Sequence, residues 1–180
     1  KIKDFKPESI IKNNSYLEFV PEQIIPYKNS RFYQKTNLDI DDSSTAVYSE
    51  TIVPGRIAMG EMFDFDICYL KTEGSLNQKI QFRDSSLLMP KSQKIQSLAM
   101  FDDKTILTSV YVLTKKHVTK INNLINEMFS NIQGILGGSS ILPNDLGVSI
   151  RILGNSSEEQ KTTIYQILKI IRKEILPDYL

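Results

Sequence analysis

Phe63-Asp64-Phe65-Asp66-Ile67-Cys68-Tyr69 decides the fold class. Phe63, Phe65, Ile67 and Tyr69 alternate with Asp64, Asp66 and Cys68. A period of two is that of a β-strand with one apolar face. Glu73-Gly74-Ser75 then reads as a turn, after which Leu76, Gln78, Ile80 and Phe82 alternate with Asn77, Lys79, Gln81 and Arg83. The two runs predict a hairpin in which Lys79 or Arg83 faces Asp64 or Asp66 on the outer side.

The sequence upstream has the same texture. Ser9–Lys12 and Tyr16–Val20 flank Asn13-Asn14, and because Asn tolerates positive φ the pair predicts a hairpin turn. Pro21 and Pro26 bracket Ile24-Ile25 as a crossing segment, each proline lacking a ladder donor. Arg31–Ile40, the turn cluster Asp41-Asp42-Ser43-Ser44 and Thr45–Val53 predict another hairpin, ended by Pro54-Gly55. Many strands and little helix fit either a sandwich or a β-helix-like stack, and periodicity does not choose between them.

After about residue 104 the pattern changes. Ile106, Thr108, Val110 and Val112 form a strand, and Ile121, Leu124, Ile125, Met128, Phe129 and Ile132 then take the spacing of an amphipathic helix over residues 117–133. Gly134 stops it, with Gly137-Gly138 in the following loop. Val148, Ile150 and Ile152 give another strand. A second helix over 157–175 is capped by Ser156 with Glu159, or by Ser157 with Gln160. Its apolar stripe is Ile164, Ile167, Leu168, Ile171 and Ile175, and Pro177 closes it. The expectation is an α+β fold, mostly β, in one domain over 1–180, with a β-rich part (1–103) and a strand–helix–strand–helix part (104–180).

Composition narrows the function. Lys and Arg number 22 against 21 Asp and Glu, a net charge of +1, which argues against a phosphate-backbone binder or a polybasic membrane anchor. One cysteine, Cys68, and one histidine, His117, exclude an internal disulfide framework and a Cys/His metal centre within one chain. No run of about 18 apolar residues exists to span a bilayer. A lone thiol fits a reducing compartment, so a cytoplasmic location is expected. The apolar set is skewed to 24 Ile against 3 Ala, which suits half-buried pleated surfaces.

No catalytic set is complete. Cys68 reads as a small strand residue, with nothing nearby in sequence to lower its pKa. His117 reads as a first-turn residue without an orienting acid. Gly134, Gly137 and Gly138 follow a helix instead of opening one and lack a phosphate-loop lysine. Glu50, Glu61, Asp64 and Asp66 concentrate acid around the central strands, where carboxylates do acid–base work, bind a hard cation, or simply form a solvated face. Between them runs Pro54-Gly55-Arg56-Ile57-Ala58-Met59-Gly60-Glu61. Gly55 supplies positive φ, Gly60 a bulge or close approach, and Arg56 and Glu61 are placed to pair.

Glu50…Pro54-Gly55-Arg56-x-x-x-Gly60-Glu61-x-Phe63 resembles the central motif of the urease accessory protein UreD family, called UreH in some bacteria. Tyr16-Leu17-Glu18-Phe19-Val20-Pro21-Glu22-Gln23-Ile24-Ile25-Pro26-Tyr27, Arg31-Phe32-Tyr33-Gln34 and Ser139-x-x-Leu142-Pro143…Gly147-x-x-x-Arg151-Ile152-Leu153-Gly154 resemble further family segments in the same order. The family's N-terminal glycine-rich segment has no counterpart, and the chain opens on Lys1, so an N-terminally incomplete chain is expected.

The resemblance implies a β-helix-like stack with a few helices and a non-enzymatic role. It implies binding of apo-urease, UreF and the GTPase UreG for nickel insertion into urease. No cofactor would be held tightly. Nickel would pass in transit along weak oxygen ligands, for which Glu50, Glu61, Asp64 and Asp66 are the candidates. The exposed faces of the two helices are the expected docking surface for UreF. The alternatives are a generic β-rich interaction module, with Gly55 and Gly60 purely conformational, and a carboxylate-dependent hydrolase.

Overall fold

The computed structural model describes residues 2–98 and 100–176. Strands β1 (Ile2–Phe5), β2 (Glu8–Ile11), β3 (Tyr16–Phe19), β4 (Arg31–Ile40), β5 (Thr45–Ile52), β6 (Ile67–Leu76), β7 (Lys79–Leu88) and β8 (Ile106–Leu113) come first. Then follow α1 (Val118–Ser130), β9 (Leu136–Ile141), β10 (Gly147–Gly154) and α2 (Ser157–Ile175). One sheet runs β1-β4-β6-β7, with β2 also on the β4 edge, and the other runs β3-β5-β8-β10-β9. The expected α+β, mostly β architecture with two late helices is the one observed.

From β2 to β6 the chain alternates between the sheets, and β2–β4, β3–β5 and β4–β6 each pair in parallel. That is the winding of a β-helix flattened into two stacked sheets. Both sequence-predicted hairpins before residue 54 are therefore corners. Asn13 and Asn14 have φ of 62° and 58°, as a hairpin turn requires. Their amides donate instead to the next corner, to Asp41 Oδ2 at 2.8 Å and Ser43 Oγ at 2.9 Å. Turn residues specify a change of direction; whether the strands then pair or stack is decided by which faces must be buried.

The hairpin β6–β7 is real but shifted. Its turn is Asn77-Gln78, both at positive φ, so the expectation of a turn at Glu73-Gly74-Ser75 is corrected. Gly74 lies within β6 because the Phe82 ring sits on it: a Cβ there would be 2.0 Å from Phe82 Cε1. Residues 63–66 precede the strand. The amides of Asp66 and Ile67 both donate to the Ser30 carbonyl, at 2.9 and 3.2 Å, and this bend resets the alternation. Within β6 the buried face is Cys68, Leu70 and Thr72, not the aromatic phase. Arg83 faces Glu73, and Asp66 faces Arg31 and Lys91, in place of the expected pairs.

The second sheet is the middle layer. Helices α1 and α2 lay Ile121, Ile125, Phe129, Ile164, Ile167 and Ile171 on Val47, Val110, Val112, Val148, Ile150 and Ile152. Each fully buried aliphatic side chain is worth about 1.5–3 kcal/mol; β5, with Val47 toward the helices and Ala46 and Tyr48 toward the first sheet, is covered on both faces and so is buried along its whole length. Ser156 caps α2, accepting from the Glu159 amide at 3.3 Å. Pro177, expected to close α2, lies outside the described residues. Gly137 and Gly138 belong to β9, not to a loop: the Phe129 ring of α1 lies on Gly137, where a Cβ would sit 2.1 Å from Cε1. Among the described residues no helix is long and apolar enough to cross a membrane.

Candidate functional site

Between the two sheets lie two apolar clusters. One gathers Leu38, Ile40, Ala46 and Leu113, and the other Ile52, Phe65, Leu70 and Leu88. A polar belt joins them. Its origin is in the strand alternation: Gln34 and Thr36 share the inward face of β4 with Leu38 and Ile40, and Tyr48 and Glu50 share the inward face of β5 with Ala46 and Ile52. The register aligns Glu50 of β5, Ser109 of β8 and Arg151 of β10 in one row, with Tyr48 beside Tyr111 in the next.

Glu50 is 4% exposed. The Tyr48 hydroxyl donates to its Oε2 at 3.1 Å, and Gln34 Nε2 donates to Tyr48 Oη at 2.8 Å. Burial pushes the Glu50 carboxyl up to about 7, and the nearby charge of Asp84 adds to this. The Tyr48 and Gln34 hydrogen bonds and the Arg151 charge pull the other way. Arg151 crosses from one sheet to the other to bind Asp84 of β7, and Tyr111 Oη donates to the same carboxylate at 3.1 Å. Phe19, Tyr48, Tyr111 and Phe82 stack in sequence, with centroids 5.8, 6.2 and 5.8 Å apart. A cavity of about 160 Å³, lined by Phe19, Pro21, Glu22 and Ile24, reaches Gln34, Tyr48 and Glu50.

The other candidate acids lie elsewhere. Glu61 accepts from Arg56 Nε at 2.9 Å and from the Lys28 amide at 3.1 Å, and the Arg56 hydrogen bond holds its carboxyl below the usual range. Arg56 also stacks over Tyr27, 4.3 Å from the ring centroid. The motif Pro54–Glu61 is thus a clamp that fixes the loop before β6 against the loop before β4. Gly55, at φ +140°, leaves no room for a Cβ, which would meet the Glu61 carbonyl oxygen at 2.9 Å. Gly60 serves conformation alone, at φ +74° with nothing within 4 Å of a Cβ. Asp66 binds Lys91 and Arg31 at 2.5 and 3.4 Å, and Lys91 above all keeps its carboxyl low. Asp64 is half-buried, its carbonyl accepting from the Asn29 amide at 2.9 Å.

The four acids therefore do not meet. Among the described residues no three of His, Cys, Asp and Glu form a metal-holding group. Cys68 is fully buried, and burial with the Glu50 charge pushes its thiol up to about 12, so it is no nucleophile at neutral pH. His117 precedes α1 in a left-handed conformation, φ 51°. Sequence reasoning missed Tyr48, Tyr111 and Asp84. The available signal was polar residues in the inward phase of strands that are otherwise apolar.

The profile of the UreD urease accessory protein family matches residues 8–178. The chain is 33% identical to the urease accessory protein UreD of Cenarchaeum symbiosum (strain A), over 89% of this chain and 57% of that protein. It is 34% identical to the urease accessory protein UreD of Yersinia pseudotuberculosis serotype O:1b (strain IP 31758), over 93% of this chain and 53% of that one. UreD 2 of Brucella canis is 31% identical over 90% of this chain and 55% of that protein. The chain thus spans about half the length of the curated relatives it matches. A profile match from β2 to the end of α2, together with relatives above 30% identity along the same span, establishes that the chain belongs to the UreD urease accessory protein family.

Proposed function

We propose that this protein is a non-enzymatic scaffold for urease maturation, binding apo-urease, UreF and UreG while nickel is delivered to the urease active site. Family membership supports the accessory role. The observation that carries the nickel reading is Glu50: a carboxylate buried between the sheets, its pKa near neutrality, at the inner end of a cavity.

Nickel is cargo here, not a resident cofactor. A carrier must release its ion, so oxygen ligands suit it better than thiolate or imidazole. Glu50 exchanges a proton for a cation near pH 7, because its neutral and charged forms are nearly balanced. Tyr48 and Gln34 orient the carboxylate. Glu61 and Asp66 carry cationic partners of their own and shape the surrounding loops, while Asp64 stands between them in sequence. The exposed sides of α1 and α2 offer helical surface for UreF. The compartment in this reading is the cytoplasm.

The test of the scaffold role is co-purification from cells expressing a urease operon. Recovery of urease and UreF with the tagged protein is the expected result. Recovery of neither would leave a β-rich module without this role.

A further inference from the structure

β9 ends the second sheet and pairs with β10 alone. A free strand edge offers a row of backbone donors and acceptors to any other strand, and proteins blunt it with charge, proline or a covering element. β7, which ends the first sheet, carries exposed Lys79 and Arg83. β9, running Leu-Gly-Gly-Ser-Ser-Ile over Leu136–Ile141, has neither charge nor proline, and Leu136 and Ile141 are 53% and 38% exposed.

Helix α1 supplies what β9 lacks. The Asn126 amide meets both backbone groups of Ser139: Nδ2 donates to the Ser139 carbonyl at 3.1 Å, and Oδ1 accepts from the Ser139 N–H at 2.8 Å. That is the pair of bonds a residue of a neighbouring antiparallel strand would exchange with Ser139. Ser139 lies opposite Ile150 but gives both groups to Asn126, so it is a non-hydrogen-bonded position of the β9–β10 ladder. The Leu142 amide, in the other phase, donates to the Gly147 carbonyl at 2.8 Å. Alternation therefore turns the backbone of Gly137, Ser139 and Ile141 away from β10. This outward row is complementary to itself. Antiparallel pairing with a second copy, centred on Ser139, sets Gly137 of one chain against Ile141 of the other and opposes no like charges.

We propose that β9 is a self-pairing edge held closed by Asn126, whose amide occupies the place that Ser139 of a second copy of this chain would take. The self-complementary, uncharged row is what selects a second copy as the occupant. α1 keeps its place without the Asn126 amide, because Ser139 Oγ donates to Asn122 Oδ1 at 2.9 Å and Ile121, Ile125 and Phe129 remain packed on the sheet. The inference is independent of the Glu50 belt and of the nickel reading.

Sedimentation velocity over a range of concentrations, with amide hydrogen exchange on the same samples, tests it with the parent, Asn126→Ala, and Asn126→Ala combined with Ser140→Lys. Alanine favours a helix more than asparagine does, so α1 is retained. Asn126→Ala is expected to self-associate at least about tenfold more tightly than the parent, the factor that one or two net hydrogen bonds carry. Amides of residues 137–141 exchange more slowly as the dimer forms. Ser140 is exposed, and a lysine there places like charges across the new ladder, which returns association to the parent's level. Association of Asn126→Ala equal to the parent's, association that Ser140→Lys does not reverse, or association without slowed exchange at 137–141 overturns the proposal.

Discussion

Tyr48 donates its phenolic proton to Glu50 at 3.1 Å, from two residues away on the same inward face of β5. The pair sits in the polar belt between the two sheets, within reach of the charges of Arg151 and Asp84. Its consequences are thermodynamic before they are functional.

Glu50 makes stability fall as pH rises. Its ordinary value is 4.5, and burial raises it to about 7 in the folded chain. Between these values the folded state holds a proton that the unfolded state has released. The stabilisation is therefore fully present below about 4.5 and is lost as pH rises through about 7. Glu50→Gln removes this dependence, and at pH 8 the variant gains on the order of 3 kcal/mol relative to the parent. Urea unfolding at pH 5 and pH 8 measures the difference. Parallel pH dependence in the two proteins would contradict it.

The crossing of Arg151 to Asp84 is the charged tie between the sheets near this belt. Both groups are about one-third exposed, so solvent screens the pair. Arg151→Met is expected to cost roughly 1–3 kcal/mol, mostly through the stranded Asp84 carboxylate. Asp84→Asn in the same chain should restore part of the loss, which a double-mutant cycle by denaturant unfolding reads directly.

Two glycines lie beneath aromatic rings. Gly74→Ala pushes against Phe82, and Gly137→Ala against Phe129. Each is expected to destabilise by about 1–3 kcal/mol, the range for overpacking. Combining Gly74→Ala with Phe82→Leu should relieve the first effect while leaving the second untouched, as thermal unfolding would show.

The Arg56–Glu61 clamp predicts a local effect. Glu61→Gln removes the charge that binds Arg56 and frees the segment 56–62, where Ile57, Met59 and Met62 are already exposed. Limited proteolysis should cut this loop faster in the variant, with little change in global unfolding. Equal cleavage rates would show that the clamp does not restrain the loop.

Much of this was legible in the chain itself. The limits of β4 and β5, the stripe of α2 and its Ser156 cap follow from alternation, period 3.6 and capping chemistry, all local properties. The pairing of Arg56 with Glu61 was legible for the same reason, the two being five residues apart on either side of the short turn Ile57–Gly60. What was not legible depends on distant chain. Asn13-Asn14 has hairpin dihedrals but bonds to the corner at Asp41, 28 residues later. Gly74 looked like a turn because the ring that excludes its side chain belongs to Phe82, across the ladder. Glu50 was a candidate from its place in a motif, but its burial against Tyr48 and Gln34 required knowing that β4 and β5 lie in different sheets.

The most direct test is nickel-dependent activation of apo-urease with UreF, UreG and either the parent protein or Glu50→Gln. The account predicts that Glu50→Gln still co-purifies with its partners but activates urease far less, with the deficit narrowing as nickel is raised. Full activation by Glu50→Gln at limiting nickel would contradict a path through the buried carboxylate.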